Sequence, residues 1–325
     1  MNIIESIKEK VAGKNMKIVF PEGEDKRVLG AAIKLKNEGL IEPIMLGDIK
    51  EIEKTAKENS FDISKLQIIE IEKYDEFDLL VDAFVERRKG KATREQAVEM
   101  LKTVNYFGTM LVYTGKADGL VSGAVFSTGD TVRPALQIIK TRPGVSRTSG
   151  AMLMLGQNGE KYMFADIAIN ITLEPQELAE VAVETAKTAR IFDIDPKVAM
   201  LSFSTMGSAK HELAERVAEA TKIAKELAPD LALDGEMQFD AAIAPEVGAK
   251  KAPNSPVAGK ANVFIFPDLQ AGNIGYKIAQ RLGGYEAIGP ILQGLNMPIS
   301  DLSRGSNEED IYKLSLITAA QALEN

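Results

Sequence analysis

Three segments of this chain concentrate the residues that could do chemistry. The first, Ala117–Gly150 (ADGLVSGAVFSTGDTVRPALQIIKTRPGVSRTSG), passes from an apolar strand pattern through Gly, Ser and Thr into a helix pattern starting near Asp130. Small residues let backbone amides approach a ligand, Ser127, Thr128 and Thr131 add hydroxyl donors, and a helix N-terminus favours an anion. That pattern describes an anion cradle or an ordinary strand–loop–helix turn. The segment contains neither GxxxxGK[ST] nor GxGxxG, so ATP-type and dinucleotide-type glycine loops are unsupported. Arg133 is expected in the first helical turn, where a cation opposes the helix dipole and a bound anion would account for it. Its planar fork suits a phosphate or carboxylate held through two bonds. Arg142 and Arg147 follow in a loop containing Pro and Gly.

The second segment is Asn296–Asp310 (NMPISDLSRGSNEED). Ser303, Arg304 and Gly305 predict a compact turn suited to an anion, with Ser306 as N-cap and Glu309 completing a capping box. Acids in a first helical turn also complement the macrodipole with no ligand at all. The third segment, Phe20–Arg27 (FPEGEDKR), ends the first strand pattern, and ligands of open α/β sheets gather at strand ends. Arg27 could reach such a site or lie solvated on a charged helix face. Arg87, in VERRKGKAT, reads equally as a cation at a helix C-terminus.

The elements that must position these residues alternate. Strand patterns at Lys17–Pro21, Pro43–Gly47, Leu66–Ile71, Gly119–Ala124, Val198–Phe203 and Val263–Pro267 are separated by helical patterns. The helices are expected at Asp25–Glu38, Thr93–Leu101, Glu174–Phe192, Ser208–Leu227 and Gly272–Leu282. Such alternation predicts an α/β protein with largely parallel strands. Gly248–Ala261 (GAKKAPNSPVAGKA) reads as a flexible surface loop, or else a lid over a site.

Composition narrows the chemistry further. With no Cys, thiolate nucleophiles, disulfides and thiolate metal sites are excluded, and His211 alone cannot build a metal site. His211 is expected at the surface or in a helix cap. The formal charge of −8 argues against nucleic-acid binding, although local Arg clusters can still take small anions. No apolar run is long enough to span a bilayer, and the first fifteen residues, which mix charges into an amphipathic pattern, do not resemble a signal peptide, so a cytoplasmic location is expected. A chain of 325 residues is long enough for two domains.

Taken together, the first two segments and Phe266–Gly284 (FPDLQAGNIGYKIAQRLGG) resemble the phosphate acetyltransferase members of the phosphate acetyl/butyryltransferase family. The third block of the resemblance, after Ala117–Gly150 and Phe266–Gly284, runs over Gly289–Gly305 (GPILQGLNMPISDLSRG), and the likeness spans essentially the whole chain. It implies two α/β domains with a cleft between them, like the isocitrate and isopropylmalate dehydrogenases, assembled as a homodimer. The first domain would comprise about 1–146 plus 296–325 and the second about 147–295. It also implies reversible transfer of acetyl between CoA and phosphate in a ternary complex. CoA or acetyl-CoA and phosphate or acetyl phosphate are then substrates, with no metal and no cofactor.

By the same resemblance Asp310 is the general base toward the CoA thiol, Ser303 stabilises the tetrahedral state and Arg304 holds phosphate or acetyl phosphate. Arg87 and Arg133 resemble arginines that bind CoA or phosphate, and Arg27 one that binds the CoA 3′-phosphate. An ordinary aspartate, near 3.9, is a weak base toward a thiol near 8.5, so much of the acceleration is expected from positioning two anions and stabilising developing charge. The alternatives are a phosphate butyryltransferase, a metal- and NAD-dependent decarboxylating dehydrogenase sharing the fold, and a non-enzymatic anion-binding module.

Overall fold

The computed structural model describes residues 3–324; Met1, Asn2 and Asn325 lie outside the described residues. The chain divides into two compact units, Met1–Lys140 with Leu295–Asn325, and Thr141–Gly294. Among the described residues the strands, in chain order, are β1 (Lys17–Phe20), β2 (Glu42–Leu46), β3 (Gln67–Ile69), β4 (Gly119–Ser122), β5 (Ser149–Leu155), β6 (Lys161–Ala165), β7 (Lys197–Leu201), β8 (Ala232–Met237), β9 (Val263–Ile265), β10 (Glu286–Gln293) and β11 (Ile299–Asp301).

The first unit holds an all-parallel sheet in the order β11-β4-β1-β2-β3. Its inner strand β1 reads as an unbroken apolar run because helices cover a parallel sheet on both faces; Ile18, Val19 and Phe20 are all buried. Helix Lys26–Asn37 is started by Asp25, whose side chain accepts from the Arg27 amide, and buries Val28, Leu29 and Leu35. The last helix, Glu308–Leu323, buries Ile311, Leu314 and Leu316 and packs on helix Ile3–Val11, helix Lys26–Asn37 and β4. A Cβ at Gly119 would come 2.9 Å from the Thr318 methyl, so only glycine allows helix and strand to meet this closely.

The second unit has the order β10-β5-β6-β9-β7-β8. Its parallel part is β6, β9, β7 and β8, while β10–β5 and β5–β6 are antiparallel. Its core stacks Met154, Phe164, Phe264, Leu201 and Met237, with the Phe164 and Phe264 rings edge to face at 5.5 Å. His211 is the N-cap of helix Glu212–Leu227, its Nδ1 accepting from the Leu213 amide at 3.2 Å.

The expectation for Gly248–Ala261 needs correcting. Its first residues close helix Pro245–Lys251, and Ala252, Val257 and Ala261 are buried. The three apolar side chains anchor the segment, so its Pro and Gly residues shape a packed turn and not a free loop.

Candidate active site

The three segments singled out in the sequence follow three neighbouring strands of one sheet. β11, β4 and β1 lie side by side, parallel and in register, with Asp301 opposite Ser122. Parallel strands carry their C-terminal ends to one edge, so residues 302–310, 123–133 and 21–27 leave the sheet there together. Arg27, Arg87, Ser127, Thr128, Thr131, Arg133, Ser303, Arg304 and Asp310 all belong to the first unit, whereas Arg142 and Arg147 fall in the second.

The loop after β4 does form an anion cradle of backbone amides, but the protein fills it. Glu22, buried at the end of β1, receives the amides of Gly123, Ala124, Val125 and Phe126 at 2.7 to 3.3 Å. The expectation that these amides hold a ligand is thereby corrected. Sequence reasoning missed Glu22; the only available signal was an acid at a strand end beside a glycine-rich loop. Gly123 has φ 107°, and a Cβ there would lie 2.6 Å from Asp301 Oδ1, so the close approach of the loop to β11 requires glycine.

Helix Thr128–Pro134 starts two residues before the expected position and is capped by Ser127. Ser127 and Asp130 form a reciprocal capping box, the Ser127 hydroxyl also donating to Asp130 Oδ2 at 2.7 Å. Thr128 stays exposed, whereas Thr131 is buried and turned inward. Arg133 stands in the last turn of this helix, not the first, because the early start moves it along and a π-turn follows at Ala135–Ile139. The dipole no longer argues for a ligand on Arg133. Its exposure does, since its guanidinium has no hydrogen-bond or ion-pair partner among the described residues.

The turn after β11 is closed by the Ser306 amide donating to the Ser303 carbonyl at 2.9 Å. Ser303 and Arg304 are exposed, with the Ser303 hydroxyl oxygen accepting from the Gly305 amide at 3.3 Å. The Arg304 guanidinium has no partner among the described residues. The cap lies one residue beyond the expected one: Asn307 and Asp310 form the box in place of Ser306 and Glu309. Ser306 is buried, and Glu309 instead turns to Lys34 at 3.1 Å and Lys313 at 3.9 Å. Asp310 Oδ2 accepts the Asn307 amide at 2.9 Å, which leaves Oδ1 without a partner among the described residues. The box thus fixes a carboxylate with one oxygen held and one free.

Two expected arginine ligands are largely occupied. Arg27 makes five hydrogen bonds, to both Asp25 oxygens and to the carbonyls of Ala124, Arg304 and Ser306. A guanidinium has five N–H groups, so none is left for a phosphate. Arg87 donates to the carbonyls of Ile138 and Ile139 at 2.6 and 2.9 Å and lies 4.9 Å from the Tyr113 ring. It caps the π-turn that follows Arg133. Beside it Lys140 is held below the ordinary lysine range, first by the charge of Arg87, then by burial and by Lys89, Lys91 and Arg88.

Asp301 is the second residue missed in the sequence. Burial pushes its carboxyl up to about 6; the Thr128 and Thr131 hydroxyls pull it partly back, and the Glu22 charge adds to the rise. No hydrogen bond closes at Asp301 Oδ1, and the neighbouring buried hydroxyls of Thr131 and Ser122 also lack partners. A carboxyl bound more tightly to its proton in the fold than its ordinary 3.8 adds stability below about pH 4 and loses it as pH rises through 6. At about 1.4 kcal/mol per unit the charged form costs roughly 3 kcal/mol near pH 8. Asp301→Asn is therefore expected to raise the thermal midpoint at pH 8, with the gain shrinking toward pH 4. Melts across that range check it; a variant less stable than the parent at pH 8 would show that the ionised carboxylate is stabilising.

Exposed Ser303 and Arg304 on the turn after β11 and exposed Asp310 in the first turn of the helix that follows, with Arg133 from the segment after β4, can bind an anion, donate to a developing oxyanion and accept a proton. The model of the Phosphate acetyl/butaryl transferase family matches residues 2–319. A phosphate acetyltransferase of Bacillus subtilis is 61% identical over 322 residues, covering 99% of both chains. The solved phosphotransacetylase of Streptococcus pyogenes is 64% identical, with a TM-score of 0.98 over 99% of this chain and 98% of its own. A branched-chain phosphotransacylase of Enterococcus faecalis, at 18% identity and TM-score 0.69 over 94% of this chain and 99% of its own, shares the fold. This chain belongs to the phosphate acetyl/butyryl transferase family of acyltransferases.

Proposed function

We propose that this chain is a phosphate acetyltransferase, converting acetyl-CoA and phosphate reversibly to acetyl phosphate and CoA by direct transfer between two bound substrates. The observation that carries the reading is the stretch after β11, where Ser303 and Arg304 on the turn and Asp310 at the start of the last helix all stand exposed within eight residues of chain. The names of the similar proteins favour acetyl over butyryl.

In the direction of acetyl-CoA, Asp310 Oδ1 takes the proton of the CoA thiol and the sulfur attacks the carbonyl carbon of acetyl phosphate. The carbonyl oxygen becomes an oxyanion, to which the Ser303 hydroxyl donates. The carbon–oxygen bond to phosphate then breaks, and phosphate leaves held by Arg304. In reverse, a phosphate oxygen attacks the thioester carbon and the departing thiolate takes its proton back from Asp310. Donors placed where charge develops are worth more than donors that bind both states alike. Arg133 supplies further charge for phosphate or CoA, with Ser127 and Thr128 at the start of its helix. Thr131 belongs to the buried group around Asp301. CoA is a substrate here, and no cofactor or metal enters the scheme.

The protein is further proposed to work in the cytoplasm as a homodimer. The second unit exposes Phe239 and Ile278 at a hollow of about 420 Å³ lined also by Tyr162, Phe164, Phe264 and Tyr285, and further exposes Ile274 on the helix of Ile278 and Leu282 at its end. An apolar face of this kind suits a second copy of the chain, and sedimentation gives its mass directly.

The reaction is tested by following thioester formation from CoA with acetyl phosphate and, separately, butyryl phosphate. Faster turnover with acetyl phosphate is expected. A clear preference for butyryl phosphate would transfer the reading to a butyryltransferase, and inactivity with both would remove it.

A further inference from the structure

Arg27 and Glu22 lie on one short segment after β1, and together they tie down both loops that flank the site. Glu22 gathers four consecutive amides of the loop after β4. Arg27 takes the Ala124 carbonyl of that loop at 2.9 Å, and the Arg304 and Ser306 carbonyls of the turn after β11 at 3.0 and 2.7 Å. Asp25 grips the opposite edge of the guanidinium through both its oxygens, at 3.0 and 2.8 Å. Burial works against the Asp25 charge, but the Arg27 guanidinium and nearby amides outweigh it and hold the carboxyl below its usual range.

We infer that Arg27 is a positioning residue for the transfer reaction, acting through the backbone of the Ser303–Ser306 turn and not as a ligand of the CoA phosphates. The inference rests on the phosphate acetyltransferase reading. A phosphate could take Arg27 only by displacing bonds already made to a carboxylate or to loop carbonyls, and each displaced carbonyl would loosen the turn that presents Arg304. With its carbonyl held on the Arg27 side, Arg304 keeps its own guanidinium free for solvent and substrate. Lysine cannot replace the clamp, because three donors on one nitrogen cannot hold a carboxylate edge and three separate carbonyls.

The two roles separate when CoA is compared with 3′-dephospho-CoA. If Arg27 positions the turn, Arg27→Gln lowers kcat for both thiols by the same factor, about 100-fold, since small misplacements of reacting groups cost about that much. The ratio of kcat/KM for CoA to that for 3′-dephospho-CoA then stays at its wild-type value. Arg27→Lys fails to rescue. Asp25→Asn, which keeps the guanidinium and can still cap the helix, guards against a variant that merely fails to fold, and is expected to lower kcat for both thiols in parallel. The inference is overturned if Arg27→Gln keeps its kcat while KM rises for CoA alone, the signature of a lost 3′-phosphate contact. It is also overturned if Asp25→Asn, folded by circular dichroism, matches the wild type. Wild-type protein inactive with both thiols would instead sink the underlying reaction, and this inference with it.

Discussion

Asp310→Asn is expected to lower kcat by about 10²–10⁴, the range for losing a general base, with little change in KM for CoA. The substitution is clean for a structural reason. In the capping box Asp310 Oδ2 accepts the Asn307 amide, and an asparagine carbonyl oxygen can keep that bond. What it removes is the proton-accepting power of the oxygen the box leaves free. Thermal stability should therefore hold while turnover collapses. Steady-state kinetics with acetyl phosphate and CoA, alongside a melt, measure both. Unchanged turnover would end the base assignment, and a large loss of stability would mean that the box, not the chemistry, had been damaged.

Arg304→Ala is expected to reduce kcat/KM for acetyl phosphate by about 10²–10³, the scale for removing one preorganised donor to developing charge. KM for CoA should move far less. The side chain is exposed and has no partner among the described residues, so its removal takes no hydrogen bond from the fold. Arg27 bonds to the Arg304 carbonyl and not to its side chain, so the turn keeps its anchor in the variant. Arg304→Lys should recover only part of the loss, because an ammonium cannot offer two parallel bonds to a phosphate. Equal kinetics in the alanine variant and the parent would take Arg304 out of the site.

The parts of the fold legible in the sequence were those where burial on both faces writes an uninterrupted apolar run. KIVFP, PIMLG and VFIFP each carry a strand close to its observed limits. β8 (ALDGEM) and β10 (EAIGPILQ) escaped because Asp, Gly, Glu and Pro break the pattern, and β10 bulges between Ile288 and Ile291. The meeting of three segments at one sheet edge was legible for the same reason, since each follows a strand. Their inner wiring was not. Glu22 looks like any acid near a turn until the amides of Gly123–Phe126 are seen around it, and Arg27 looks like a ligand until its five donors are counted. Caps slipped by one or two residues at both helix starts because Ser, Asn and Asp compete for the same role in STGD and in SNEED.

Transfer in one step between two bound substrates, with no acyl-enzyme, is the centre of this account, and isotope exchange tests it most directly. Labelled inorganic phosphate is incubated with acetyl phosphate and the protein, first without CoA and then with it. Direct transfer predicts no label in acetyl phosphate until CoA is added, because acetyl has nowhere to go without the thiol. Label entering acetyl phosphate in the absence of CoA would show that the protein itself holds the acetyl group, and would contradict the mechanism built on Asp310, Ser303 and Arg304.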